Sequence, residues 1–198
     1  MRRLKIFLTV FVLFFLHSNC ANNQKDIQLI KQGKVLLAEN KYTEAIPVFT
    51  KAIHKNFKND DAHAYRGYTY YLLEKYQEAM RDFENALSQN PANETALFGQ
   101  ACINWNVENF ASSFKEFNQL LQINPKHDKA YFYRGRAFLH YGDTNKGLND
   151  LSAALNIDSC FLDTYYLLSS VLTSQKKYNE ADQILQKALK CKQENSGN

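Results

Sequence analysis

Residues 42–53 read YTEAIPVFTKAI and residues 76–87 read YQEAMRDFENAL. Tyr42, Ala45, Phe49 and Ala52 of the first stretch return as Tyr76, Ala79, Phe83 and Ala86 in the second, 34 residues on. The same step reaches Tyr178, Ala181, Leu185 and Ala188 near the C-terminus. Between them it passes through Phe110, Ser113, Phe117 and Leu120, then Thr144, Gly147, Leu151 and Ala154, where the match is weaker. Residues three and four apart share one face of a helix, so each stretch reads as a helix carrying a stripe of one large and two small side chains.

Upstream of each stripe a second pattern keeps the same step. Gly33, Gly67, Ala101, Gly135 and Ser169 are all small, and three residues later stand Leu36, Tyr70, Asn104, Phe138 and Leu172. Small residues let two helices approach, and large ones fill the groove between them. Pro91 and Pro125 cannot continue a helix, and Asn90 and Asn124 precede them, so each pair marks the end of a unit. Asp60, Asp128 and Asp163 fall near the starts of first helices, where acids are expected to cap free N–H groups. The units are 26–59, 60–93, 94–127, 128–161 and 162–195, with no insertion between them and a tail at 196–198.

A 34-residue period, a small residue at the eighth place, Ala-x3-Phe-x2-Ala in the second half and Pro near the end resemble the tetratricopeptide repeat. The resemblance covers about 170 of the 198 residues. It implies an all-α, right-handed superhelical solenoid of five helix-turn-helix repeats with a concave surface. Ser113, Leu120 and Gly147 stand where the repeat has Ala, which leaves local packing open in the third and fourth units. In this family the inner groove is lined from the second, fifth, ninth, twelfth and thirteenth places of each first helix. The resemblance therefore points to Lys34, Tyr68, Tyr71, Phe98, Trp105, Phe132, Arg136 and His140 as partner-binding residues, with Leu37, Ala64, Cys102, Asn106, Leu139, Tyr166 and Ser170 at further groove places. Aromatics and Arg dominate binding hot spots, though aromatics at helical spacing also build cores. Such a groove would suit a peptide with apolar anchors and an acidic side chain. The Lys/Asn clamp by which one subclass grips chaperone tails is missing, since Ile30, Lys34 and Tyr65 occupy the places compared.

The first 19 residues, MRRLKIFLTVFVLFFLHSN, are of another kind. Arg2, Arg3 and Lys5 precede an apolar run from Ile6 to Leu16. Eleven helical residues reach about 16 Å, roughly half of a ~30 Å hydrocarbon core, which suits a signal peptide better than a spanning helix. Cys20 follows the run as in a bacterial lipobox, with His17 and Asn19 in place of the aliphatic and small residues of that pattern. The resemblance makes Cys20 the lipidation site; a plainly cleaved signal and an uncleaved anchor are the other readings. Residues 20–25 are then a short tether. The expected location is the cell envelope, as a periplasmic or outer-membrane lipoprotein, with secretion as the alternative.

The formal net charge is +4, but without the three N-terminal bases 21 basic residues face 20 acidic ones. A nearly neutral body argues against nucleic-acid binding, which needs clustered Lys and Arg. His17, His54, His63, His127 and His140 are scattered without metal-ligand spacing, and no phosphate loop or nucleophile elbow occurs. Neither enzyme activity, cofactor nor metal is expected. Asp60, Asp61, Asp82 and Glu84 read as solvated charge on polar helix faces. Beyond Cys20 there are three cysteines, an odd number, so Cys102, Cys160 and Cys191 read by default as thiols, with a Cys160–Cys191 bridge open in an oxidising compartment. Asn93-Glu94-Thr95 is a glycosylation sequon. The final unit lacks a capping helix, so Tyr165, Leu168 and Ile184 are expected to be partly uncovered and open to a homodimer contact. The chain thus reads as a scaffold for a protein or peptide partner, tethered to a membrane, with a soluble secreted effector or accessory subunit as the alternative.

Overall fold

The structure, a computed structural model, describes residues 26–196. The signal segment, Cys20 and the tether lie outside the described residues. Among the described residues ten helices follow one another and no strand occurs. They are α1 (26–38), α2 (Tyr42–Lys55), α3 (Asp60–Leu72), α4 (Tyr76–Gln89), α5 (Glu94–Asn106), α6 (Phe110–Ile123), α7 (Asp128–His140), α8 (Thr144–Ile157), α9 (Leu162–Ser174) and α10 (Tyr178–Ser196). From α2 on, every even-numbered helix starts 34 residues after the last. The chain divides into two compact units, one ending at Ile103 and one beginning at Asn104, with the boundary inside α5.

In the first unit Phe49 and Phe83 are fully buried, as are Ala45, Ala52, Ala79 and Ala86. The small residue at the eighth place exists to admit the ring: a Cβ built on Gly67 would lie 2.9 Å from Phe83, closer than packed atoms come. In the second unit Phe117, Leu120, Leu151 and Ala154 take the same positions and are also fully buried. The departures from Ala are absorbed by their neighbours. Gly147 is buried beside Leu139, and a Cβ there would lie 2.6 Å from that leucine's branch carbon, so the larger groove residue is matched by the smaller stripe residue.

Each hairpin turns the same corner. Asn40, Glu74, Glu108, Gly142 and Lys176 all have positive φ, between 59° and 81°, and stand 34 residues apart. The following N–H reaches back five residues, as in Lys75 to Tyr70 at 2.9 Å and Asp143 to Phe138 at 2.9 Å. This is the left-handed helix stop usually given to glycine, here filled by glycine once and by four other residues.

Repeat ends are tied by side chains. In the first unit Asp26 accepts from Asn56 and Asn59 at 3.3 and 3.1 Å, and Asp60 accepts from Asn90 and Asn93 at 2.8 and 3.0 Å. Asp60, expected to cap α3, therefore ties the two ends of its repeat instead. Capping falls to the residue before the helix: Asn59 accepts from the N–H of Ala62, Asn93 from that of Ala96 and His127 from that of Ala130. Asp60 and Asp128 sit one place later, in the first turn, and Asp163 lies in the first turn of α9 behind an uncapped Phe161. The sequon asparagine is occupied in this way and is only 5% exposed.

Asp82 is not solvated charge. It is 3% exposed, and Arg66 donates to both its oxygens at 2.7 and 2.8 Å. His63 Nδ1 stands 3.1 Å away, and Arg66 also donates to Thr50 at 3.1 Å. Burial pushes the Asp82 carboxyl up, but the hydrogen bonds from Arg66 and His63 outweigh it and hold the group below the usual carboxylate range. In the second unit Arg134 grips Asp150 in the same way at 2.7 and 2.8 Å and donates to Asn118 at 2.8 Å.

The last repeat is better covered than its sequence suggested. Tyr165 and Leu168 are buried, Tyr165 against Ala188 and Cys191 and Leu168 against Leu151 and Ile184, and α10 runs 19 residues where α8 runs 14. Ile184 stays half-exposed, as expected. Cys160 and Cys191 form a disulfide with their Cα atoms 5.4 Å apart, in place of two thiols, while Cys102 is buried.

Candidate functional site

In the first unit Lys34 stands on α1, and Tyr68 and Tyr71 stand on α3. Lys34 is exposed, and its Nζ lies 4.6 Å above the Tyr65 ring centre. Its hydrogen bond with Tyr65 raises its pKa against the opposing effect of burial. Tyr68 and Tyr71 stack at 6.0 Å, both half-buried, and Tyr71 meets Tyr76 at the same separation. Burial pushes the Tyr68 hydroxyl up. Phe98 is half-buried on α5. Burial and the neighbouring Asp60 raise the Asp61 carboxyl. Ala64 and Cys102 are buried and offer a partner no surface.

The second unit holds a denser set. Arg136 projects from α7 with its guanidinium 5.3 Å over the Trp105 ring and 5.8 Å from that of Tyr133. The edge of Trp105 meets the exposed His140 at 5.8 Å, Phe110 lies 4.7 Å from His140, and Trp105 and Phe110 are 4.8 Å apart. Tyr141, 60% exposed, extends the cluster toward solvent. Arg136 makes no ion pair among the described residues, whereas Arg66 and Arg134 are both held by carboxylates, so its charge is available to an incoming anion. Phe132 belongs elsewhere. It is 7% exposed and packs against Tyr133 and Phe161 at 5.2 and 5.0 Å, which makes it core and not groove.

Sequence reasoning missed Phe110 and Tyr141. A signal existed for the first: aromatics stand at the twelfth and seventeenth places of the second and third units, and both pairs, Tyr71 with Tyr76 and Trp105 with Phe110, meet across the turn. Among the described residues one group combines side chains of metal-ligand type at close range, Cys160, Cys191 and Glu194. No described helix is long and apolar enough to cross a membrane.

Antiparallel helix pairs at one 34-residue step define a helical-repeat protein of the solenoid class. The repeats are tetratricopeptide repeats: a family model of that description matches residues 60–93, and a second of the same description matches 161–198. No curated protein matches the sequence. Solved structures match in fold. PilF of Pseudomonas aeruginosa is 14% identical with a TM-score of 0.78, over 86% of this chain and 78% of that one. MamA of Desulfovibrio magneticus is 15% identical with a TM-score of 0.68, over 86% and 96%. YrrB, described as a repeat protein with an unusual peptide-binding site, is 20% identical with a TM-score of 0.61, over 89% and 91%. Repeats of this family generally serve as scaffolds for protein interaction.

Proposed function

We propose that the chain is a non-catalytic scaffold that binds a protein or peptide partner and is held in the cell envelope by a lipid on Cys20. The observation that carries the binding reading is Arg136 lying over Trp105 inside a half-exposed aromatic cluster, without a carboxylate partner among the described residues. A guanidinium so placed on an aromatic platform suits an acidic side chain flanked by apolar anchors. The peptide-binding description of YrrB supports a peptide as partner.

The export reading rests on the sequence of residues 1–20 and draws support from the Cys160–Cys191 disulfide, since such bonds persist in oxidising compartments. Two experiments test the proposal. Affinity capture from the native host should lose its specific partner when Trp105→Ala and Arg136→Ala are combined, with helicity unchanged; equal capture by the double variant would refute the surface. Metabolic labelling with a fatty acid should mark the wild type and not Cys20→Ala. Absence of label on the wild type would favour the secreted alternative.

A further inference from the structure

Around the disulfide, three side chains that can bind metal converge. Cys191 and Glu194 stand three residues apart on α10 and so share a face, while Cys160 arrives from the turn after α8. The two sulfurs and a Glu194 carboxylate oxygen all lie within 4.8 Å of one another. Cys160 is half-buried, Cys191 is 8% exposed and Glu194 is exposed, so the group sits at the edge of the core with its carboxylate toward water. Glu194 pairs with Lys190, 3.9 Å away with 78% of its side chain exposed, a contact too solvated to compete with a metal.

The turn carrying Cys160 is held by hydrogen bonds. The N–H of Cys160 donates to Asp158 at 2.9 Å, and the Ser159 carbonyl accepts from the Tyr165 hydroxyl at 2.8 Å. That carbonyl also lies 3.4 Å from Cys191 Sγ. A disulfide sulfur has no proton to share with it, whereas a thiol would donate to it.

We propose that, when reduced, Cys160, Cys191 and Glu194 form a zinc site, so that the end of the last repeat is closed by a disulfide or by a metal according to redox conditions. A dithiol reductant supplies two electrons and two protons to open the bond and is itself oxidised to a disulfide. Zn2+ then displaces the two thiol protons and binds two thiolates and one carboxylate, leaving its fourth position to water. Two soft sulfurs with one oxygen favour zinc over magnesium or calcium, which take oxygen ligands. Reoxidation would expel the ion.

The test uses the full chain, reduced with a phosphine and titrated with Co2+ as a spectroscopic stand-in, then with Zn2+. One equivalent of cobalt should produce a thiolate-to-cobalt charge-transfer band that zinc abolishes, and the oxidised protein should show none. Glu194→Gln, at an exposed position that leaves folding intact, should weaken binding by about tenfold or more. Cys160→Ser with Cys191→Ser should abolish the band. A reduced wild type without the band, or a Glu194→Gln variant binding as tightly as the wild type, would overturn the proposal.

Discussion

Asp82→Ala offers the sharpest test of how the first unit is held together. The change deletes the acceptor of two Arg66 hydrogen bonds and of the His63 contact, at a carboxylate only 3% exposed. Breaking a buried pair by removing one partner costs about 3–5 kcal/mol. Arg66 keeps 19% of its side chain in solvent, so its stranded charge can recover some hydration and the lower end of that range applies, about 3 kcal/mol. Asp150→Ala in the second unit is the matched control. It breaks the same two-point grip at similar exposure, 20% for Arg134 and 9% for Asp150, but no histidine is involved. Its cost should be smaller by one hydrogen bond, about 1 kcal/mol. Urea unfolding of both variants, followed by the helical circular dichroism signal, reads the two numbers. A double-mutant cycle with Arg66→Met should show strong coupling to Asp82. Acid provides a second reading. Because the folded carboxyl titrates below its ordinary value, the contribution of Asp82 is complete above about pH 4 and fades as pH falls through the depressed value. Asp82→Asn should therefore be less acid-sensitive than the wild type. An Asp82→Ala variant within about 0.5 kcal/mol of the wild type, the size of effect that ordinary surface substitutions produce, would refute the reasoning.

Other outcomes follow from the same geometry. Gly142→Ala should destabilise by about 1 kcal/mol, because the residue sits at φ 81°, while Glu74→Gly should stabilise modestly; thermal melts compare them. Joint replacement of Cys160 and Cys191 by serine opens a loop with a separation of 31 residues, for which chain entropy gives roughly 3–4 kcal/mol, measurable by urea unfolding of the oxidised proteins. Phe83→Ala, which empties a fully buried site, should cost about 3–5 kcal/mol in the same assay.

The repeat register could be read in the chain because it depends on residue size alone: Ala45, Phe49 and Ala52 mark a packed stripe wherever they recur. Charge was harder. Asp82 looks like its neighbour Glu84 in sequence, yet one is buried and the other exposed, and only the position of Arg66 on the facing helix separates them. Phe132 failed as a groove residue for a related reason. Whether an aromatic at the fifth place faces a partner or the core depends on what the end of its unit supplies, here Phe161. The left-handed corners left little trace, since Glu74, Glu108 and Lys176 are not residues that announce such a backbone.

Those corners all close through main-chain hydrogen bonds, whichever residue stands at the turn. A segment copied from one corner to the next therefore carries its own bend and both half-helices that flank it. The number of hairpins in such a chain can change by duplication or loss with no new connection to be found, and a length of surface can be added for a longer partner without redesigning what already exists.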